Sequence, residues 1–164
     1  MSKGPHHVAV LALPAVIPLE LGIAAEIFAR DPHYRLTVCA EGRSASLPGS
    51  GLTVNTPAGL EGLKRADTLI IPGYEDADAT VSTAVLDAIR AAHAQGARLV
   101  SICTAAFALA AAGVLDDRPA TTHWRWTAEL QDRYPKIDVL PNRLFVDDGD
   151  ILTSAGVTTG IDLS

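Results

Sequence analysis

Clusters of positive charge are missing from this chain. Thirteen Lys and Arg stand against nineteen Asp and Glu, a net charge of −6, and nowhere do the basic residues gather. That makes this segment a poor candidate for direct binding to nucleic acid or an anionic membrane. Cysteine is scarce. Cys39 and Cys103 fall in separate predicted strands, which suits a reducing cytoplasm better than a disulfide scaffold. No Cys/His spacing of the metal-binding kind occurs, so neither a metal nor a cofactor is expected. Long apolar runs are absent too. The stretch from Val8 to Ile17 is broken by Pro14, is followed by Pro18, and leads into a helix carrying Glu20 and Glu26. It is neither a secretory core nor a membrane span. No internal repeat is present.

What is there reads as one globular domain over 1–164, with 48% hydrophobic and 20% charged residues. Continuous apolar runs predict strands at His7–Leu13, Tyr34–Ala40, Asp67–Ile71 and Ala97–Cys103. A Gly/Ser/Pro turn at 48–51 precedes another at Leu52–Val54. Helices are expected at Pro18–Ala29, Val81–Gln95, Thr104–Gly113 and Trp124–Tyr134. Short extended pieces follow at Ala120–His123 and Ile137–Leu140. A hairpin joins Leu144–Val146 to Ile151–Thr153 around Gly149. Strands that alternate with helices predict a flavodoxin-like three-layer α/β/α sandwich with a mostly parallel sheet. The segment from Gly156 to Ser164 reads as a helix that stops after its first turn. It suggests the front part of a longer polypeptide.

Cys103 ends an apolar strand and opens an Ala-rich helix. This is the sharp turn of a nucleophile elbow, with sulfur in place of oxygen. The helix dipole there favours thiolate, so Cys103 should alkylate faster than Cys39. The other reading is a buried cysteine packing as a small hydrophobe. Glu20, Gly73 and Cys103 all lie just beyond strand ends, where reactive groups collect in such sheets.

Taken together, five segments resemble the PfpI/DJ-one superfamily, also called the class I glutamine amidotransferase-like fold. They are Leu19-Glu20-Leu21 through Glu26-Ile27-Phe28, Ile70-Ile71-Pro72-Gly73, Ser101-Ile102-Cys103-Thr104, Ala120-Thr121-Thr122-His123-Trp124, and Asp148-Gly149-Asp150-Ile151-Leu152-Thr153-Ser154-Ala155-Gly156. They run in family order over nearly the whole chain. The chain is most similar to the amino-terminal domain of AraC-type regulators of the GlxA group, with the isonitrile hydratase branch as an enzymatic relative. The resemblance makes Cys103 the nucleophile and Glu20 the acid that hydrogen-bonds its sulfur. It places a ligand pocket at Gly73, Tyr74 and Thr104, with the Tyr74 and Thr104 amides as an oxyanion pocket. It brings His123 near the site. Thr104 stands where the protease-like branch has His, which argues against a peptidase.

On its own, Glu20 also fits a helix-start carboxylate, and His123 a structural histidine. Trp124 and Trp126 read as core or interface. Cys39 reads as inert, and Asp147, Asp148 and Asp150 as a solvated turn. Two functions follow. One is a sensor domain of an AraC-family regulator: a homodimer that binds a small molecule and reaches DNA only through a missing C-terminal helix-turn-helix. The other is a cysteine-dependent small-molecule hydratase or hydrolase. A purely structural dimer module is the third reading.

Overall fold

The computed structural model describes residues 4–156. Six strands form one sheet in the order β2-β1-β5-β6-β10-β9. These are β1 (His6–Leu11), β2 (Tyr34–Cys39), β5 (Thr68–Ile71), β6 (Arg98–Ile102), β9 (Phe145–Asp147) and β10 (Ile151–Ser154). Five run parallel, and only the edge strand β9 runs against its neighbour. A ribbon of β3 (Ser44–Leu47) and β4 (Leu52–Asn55) lies apart, as does the pair β7 (Pro119–Ala120) and β8 (Asp138–Val139). Among the described residues the α-helices are α1 (Pro18–Ala29), α2 (Thr83–Ala94), α3 (Ala106–Ala111) and α4 (Thr127–Arg133).

Strand alternation separates the two faces. Val8, Val10, Ile70 and Ile102 pack with Leu21 and Ala24 of α1. Ala9, Leu11, Leu69, Ile71 and Leu99 pack with Val85 and Ile89 of α2 and Leu109 of α3. The result is the expected three-layer sandwich. Among the described residues the α1 layer is a single helix, and beside it a groove of about 470 Å³ runs over Val8, Ile70, Val100 and Leu152.

Several boundaries differ from the sequence reading. β1 stops two residues early, because the chain bends after Leu11 toward Ala15, which takes a left-handed φ of 62°. The helix expected from Thr104 starts as a tight 3-10 turn over Cys103–Ala105, and that expected from Trp124 starts as one over Trp124–Trp126. A 3-10 segment at Leu60–Arg65 has no apolar periodicity to announce it. The helix turn expected toward Ser164 lies in 157–164, outside the described residues. Trp126 packs edge-on against Phe107 at 6.4 Å, whereas Trp124 is 74% exposed.

The acidic hairpin is more than a solvated turn. Asp150 accepts from Arg118 at 2.6 Å and pairs with His93 at 2.7 Å, joining α2 to the base of β10. The Arg118 hydrogen bond, then that from His93, holds the Asp150 carboxyl well below the usual range. Among the described residues no helix is long and apolar enough to cross a membrane, and no cluster of three or more His, Cys, Asp or Glu is placed to hold a metal.

Candidate functional site

β6 runs straight into Cys103, whose φ is +57°. A left-handed conformation at a side-chain-bearing residue costs of order 1–3 kcal/mol and persists only where its surroundings enforce it. The elbow predicted from the strand-to-helix junction is therefore present, and strained. Two threonines hold it. Thr122 donates its hydroxyl to the Cys103 carbonyl at 2.7 Å, and is itself fully buried. Thr104 accepts the Tyr74 amide at 2.9 Å and donates to the Tyr74 carbonyl at 2.6 Å.

Glu20 is delivered by the lead into α1. The Ile17 amide donates to the Gly73 carbonyl at 2.8 Å, and the Glu75 amide to the Ala15 carbonyl at 3.0 Å. These bonds pin the start of α1 against the exit of β5. Glu20, in the first turn of α1, is thereby turned inward to 2% exposure. Gly73 sits between the acid and the cysteine. A Cβ there would stand 2.8 Å from Glu20 Oε2 and 3.0 Å from Cys103 Cβ. Only the absence of a side chain lets the two approach.

Burial raises both members of this pair. Burial pushes the Glu20 carboxyl up to about 7, and the nearby Gly73 backbone only partly offsets it. Among the described residues neither carboxyl oxygen has a formed hydrogen bond, so the bond to the Cys103 sulfur that the resemblance implies is not made. Burial also pushes the Cys103 thiol up to about 12, and the Glu20 charge adds to it; the Thr104 amide and hydroxyl pull the other way. The thiolate expected from the helix dipole is thus overridden. Three residues of 3-10 turn and a six-residue helix are a weak counter to removal from water. Cys39 is likewise buried and pushed up to about 11, chiefly by desolvation.

The other expected residues divide. Gly73, Tyr74 and Thr104 do surround the elbow. The Tyr74 amide, however, is already bonded to Thr104, so it is not free as an oxyanion donor. The Thr104 amide faces the sulfur. His123 is half-buried, and its Nδ1 accepts the Arg125 amide at 3.2 Å, capping the turn that follows. With Nδ1 accepting, the neutral ring carries its proton on Nε2. Sequence reasoning passed over Thr122 as a site residue. Its position just before His123 was visible, but its contact comes from the tertiary fold.

This geometry defines a class: an α/β sandwich with a cysteine elbow and a buried acid opposite it. The chain belongs to the DJ-1/PfpI family, whose pattern matches residues 6–164. It is 38% identical over 131 residues to the HTH-type transcriptional regulator CdhR of Pseudomonas aeruginosa, an alignment that takes 79% of this chain and 38% of the regulator. It is 28% identical over 160 residues to isonitrile hydratase of Pseudomonas putida, covering 96% of this chain and 68% of the enzyme. Among solved structures, an AraC family transcriptional regulator from Pseudomonas putida superposes with a TM-score of 0.78 at 25% identity, over 97% of this chain and 88% of that one. The chain spans well under half the length of the curated regulator.

Proposed function

We propose that this chain is the ligand-sensing and dimerisation domain of an AraC-type transcription regulator, acting in the cytoplasm. A small molecule binds at Cys103 and Glu20, and DNA is reached through a separate domain of a longer protein. The observation that carries this reading is the burial of the pair, with Glu20 2% and Cys103 6% exposed. Cys103 is protonated, beside a carboxyl titrating near neutrality. Such a pair offers hydrogen bonds from a thiol and from a carboxyl that keeps its proton up to about neutral pH. That suits reversible capture of an uncharged acceptor, such as a carbonyl, better than attack by a thiolate. The similarity to regulators supports it.

The dimer half rests on α1. Its outer face carries Leu19, Ile23 and Ile27 in one stripe, with Gly22 open beside them. A helix apolar on both faces is expected to be covered on both. A hydratase-like enzyme is the second reading, favoured by the strained Cys103 backbone and the isonitrile hydratase similarity.

The test is a titration of the 164-residue chain with a panel of small carbonyl compounds, followed by calorimetry, with Cys103→Ser and Glu20→Gln alongside. Binding by wild type that weakens about tenfold or more in both variants fits the proposal; that factor is about 1.4 kcal/mol. Binding equally strong in both variants would place the ligand elsewhere.

A further inference from the structure

Cys103 holds a backbone conformation that a side-chain-bearing residue rarely adopts, at φ +57°. One group grips the carbonyl of that residue from outside the elbow. It is the hydroxyl of Thr122, 2.7 Å away and donating. The donor comes from the segment after β7, nineteen residues further along the chain. Thr122 is fully buried and Cys103 nearly so, which makes the bond strong in effect and costly to leave unmade. Its neighbour Thr121 does not touch Cys103: its hydroxyl donates to the Leu140 carbonyl at 2.9 Å and lies 3.5 Å from the Thr122 carbonyl.

We infer that Thr122 is a positioning residue for Cys103: its hydroxyl fixes the Cys103 carbonyl, keeps the residue left-handed, and so holds the sulfur in its buried place opposite Glu20. The inference rests on the reading of Cys103 as the centre of the site. Without the bond, the strained residue relaxes toward an ordinary backbone and the elbow loosens. Water then reaches the sulfur. Since burial is what suppresses the thiolate, loosening raises reactivity.

The experiment is the rate of iodoacetamide alkylation against pH in the folded chain, read separately at Cys103 and Cys39 by peptide mass spectrometry. The variants are Thr122→Val, Thr122→Ser and Thr121→Val. Thr122→Val should alkylate at Cys103 about fivefold faster at neutral pH, the factor corresponding to one buried hydrogen bond of ordinary strength. Its pH profile should move to lower pH. Thr122→Ser, which keeps the hydroxyl, should return both toward wild type. Thr121→Val removes an equally buried hydroxyl and should lower stability without moving the Cys103 profile. Cys39 should be unchanged in all three. If Thr122→Val does not fold, Thr122→Ala against Thr121→Ala carries the same comparison, since alanine also removes the hydroxyl. A Thr122→Val profile at Cys103 superimposable on wild type overturns the inference, as does one matched by the Thr121 variant or not restored by Thr122→Ser. None of these outcomes touches the ligand titration, so the two can fail separately.

Discussion

The Thr104 hydroxyl both takes the Tyr74 amide proton, at 2.9 Å, and gives its own to the Tyr74 carbonyl, at 2.6 Å. This two-way clamp ties the exit of β5 to the elbow. It also spends the amide that would otherwise face a developing oxyanion. Where a histidine in this position would supply a base, threonine supplies a brace.

Glu20 makes stability fall as pH rises. Its folded pKa, about 7, lies above the ordinary value of 4.5. A carboxyl raised on folding is protonated more readily in the native chain. Native stability is therefore undiminished below pH 4.5, falls between 4.5 and 7, and stays lower above that by about 3 kcal/mol. Glu20→Gln cannot ionise. Urea unfolding of both proteins across this range should show wild type losing stability relative to the variant as pH rises. A pH-independent difference would mean that Glu20 is not raised.

Gly73→Ala should damage the site without any change of charge. The new Cβ meets Glu20 Oε2 at 2.8 Å, Cys103 Cβ at 3.0 Å and the Ile102 carbonyl oxygen at 3.1 Å. The carboxyl can swing away, but the other two are fixed by the elbow. Overpacking of this kind costs about 1–3 kcal/mol, which lowers Tm by roughly 3–10 °C in a chain of this size. A melting curve coincident with wild type would show that the acid and the cysteine are less crowded than described.

The 164-residue chain should not bind DNA by itself. Its net charge is −6, and its basic residues are dispersed. Arg118 and Arg133 are each held by carboxylates, Asp148 with Asp150 and Asp78 with Glu129. A gel shift at physiological salt should show no specific complex. A tight, sequence-specific shift would place a DNA surface on this domain.

Much of this was legible in the chain itself. The strands at β1, β2, β5 and β6 announce themselves as apolar runs, and Pro18 marks the start of α1. The Cys103 elbow followed from a strand meeting an Ala-rich helix. What remained hidden was whatever depends on three-dimensional neighbours. The sign of the Cys103 shift is set by burial, which no local pattern encodes. The loss of the Tyr74 amide required knowing that Thr104 reaches back thirty residues. Thr122 was overlooked because a threonine carries no chemical signature until its hydroxyl is seen on the Cys103 carbonyl. His123 comes to the site only through the family resemblance, and its Nδ1 is engaged in capping.

The most direct test of the sensor reading is turnover. Isonitriles and α-oxoaldehydes are the small electrophiles that a cysteine elbow with a facing acid would attack. Steady-state assays of the wild-type chain and Cys103→Ser should detect no turnover in either, because the thiol is buried and pushed up to about 12. Turnover above about 1 s⁻¹, within the ordinary enzymatic range, and abolished by Cys103→Ser, would contradict the account and make this chain a hydratase-like enzyme.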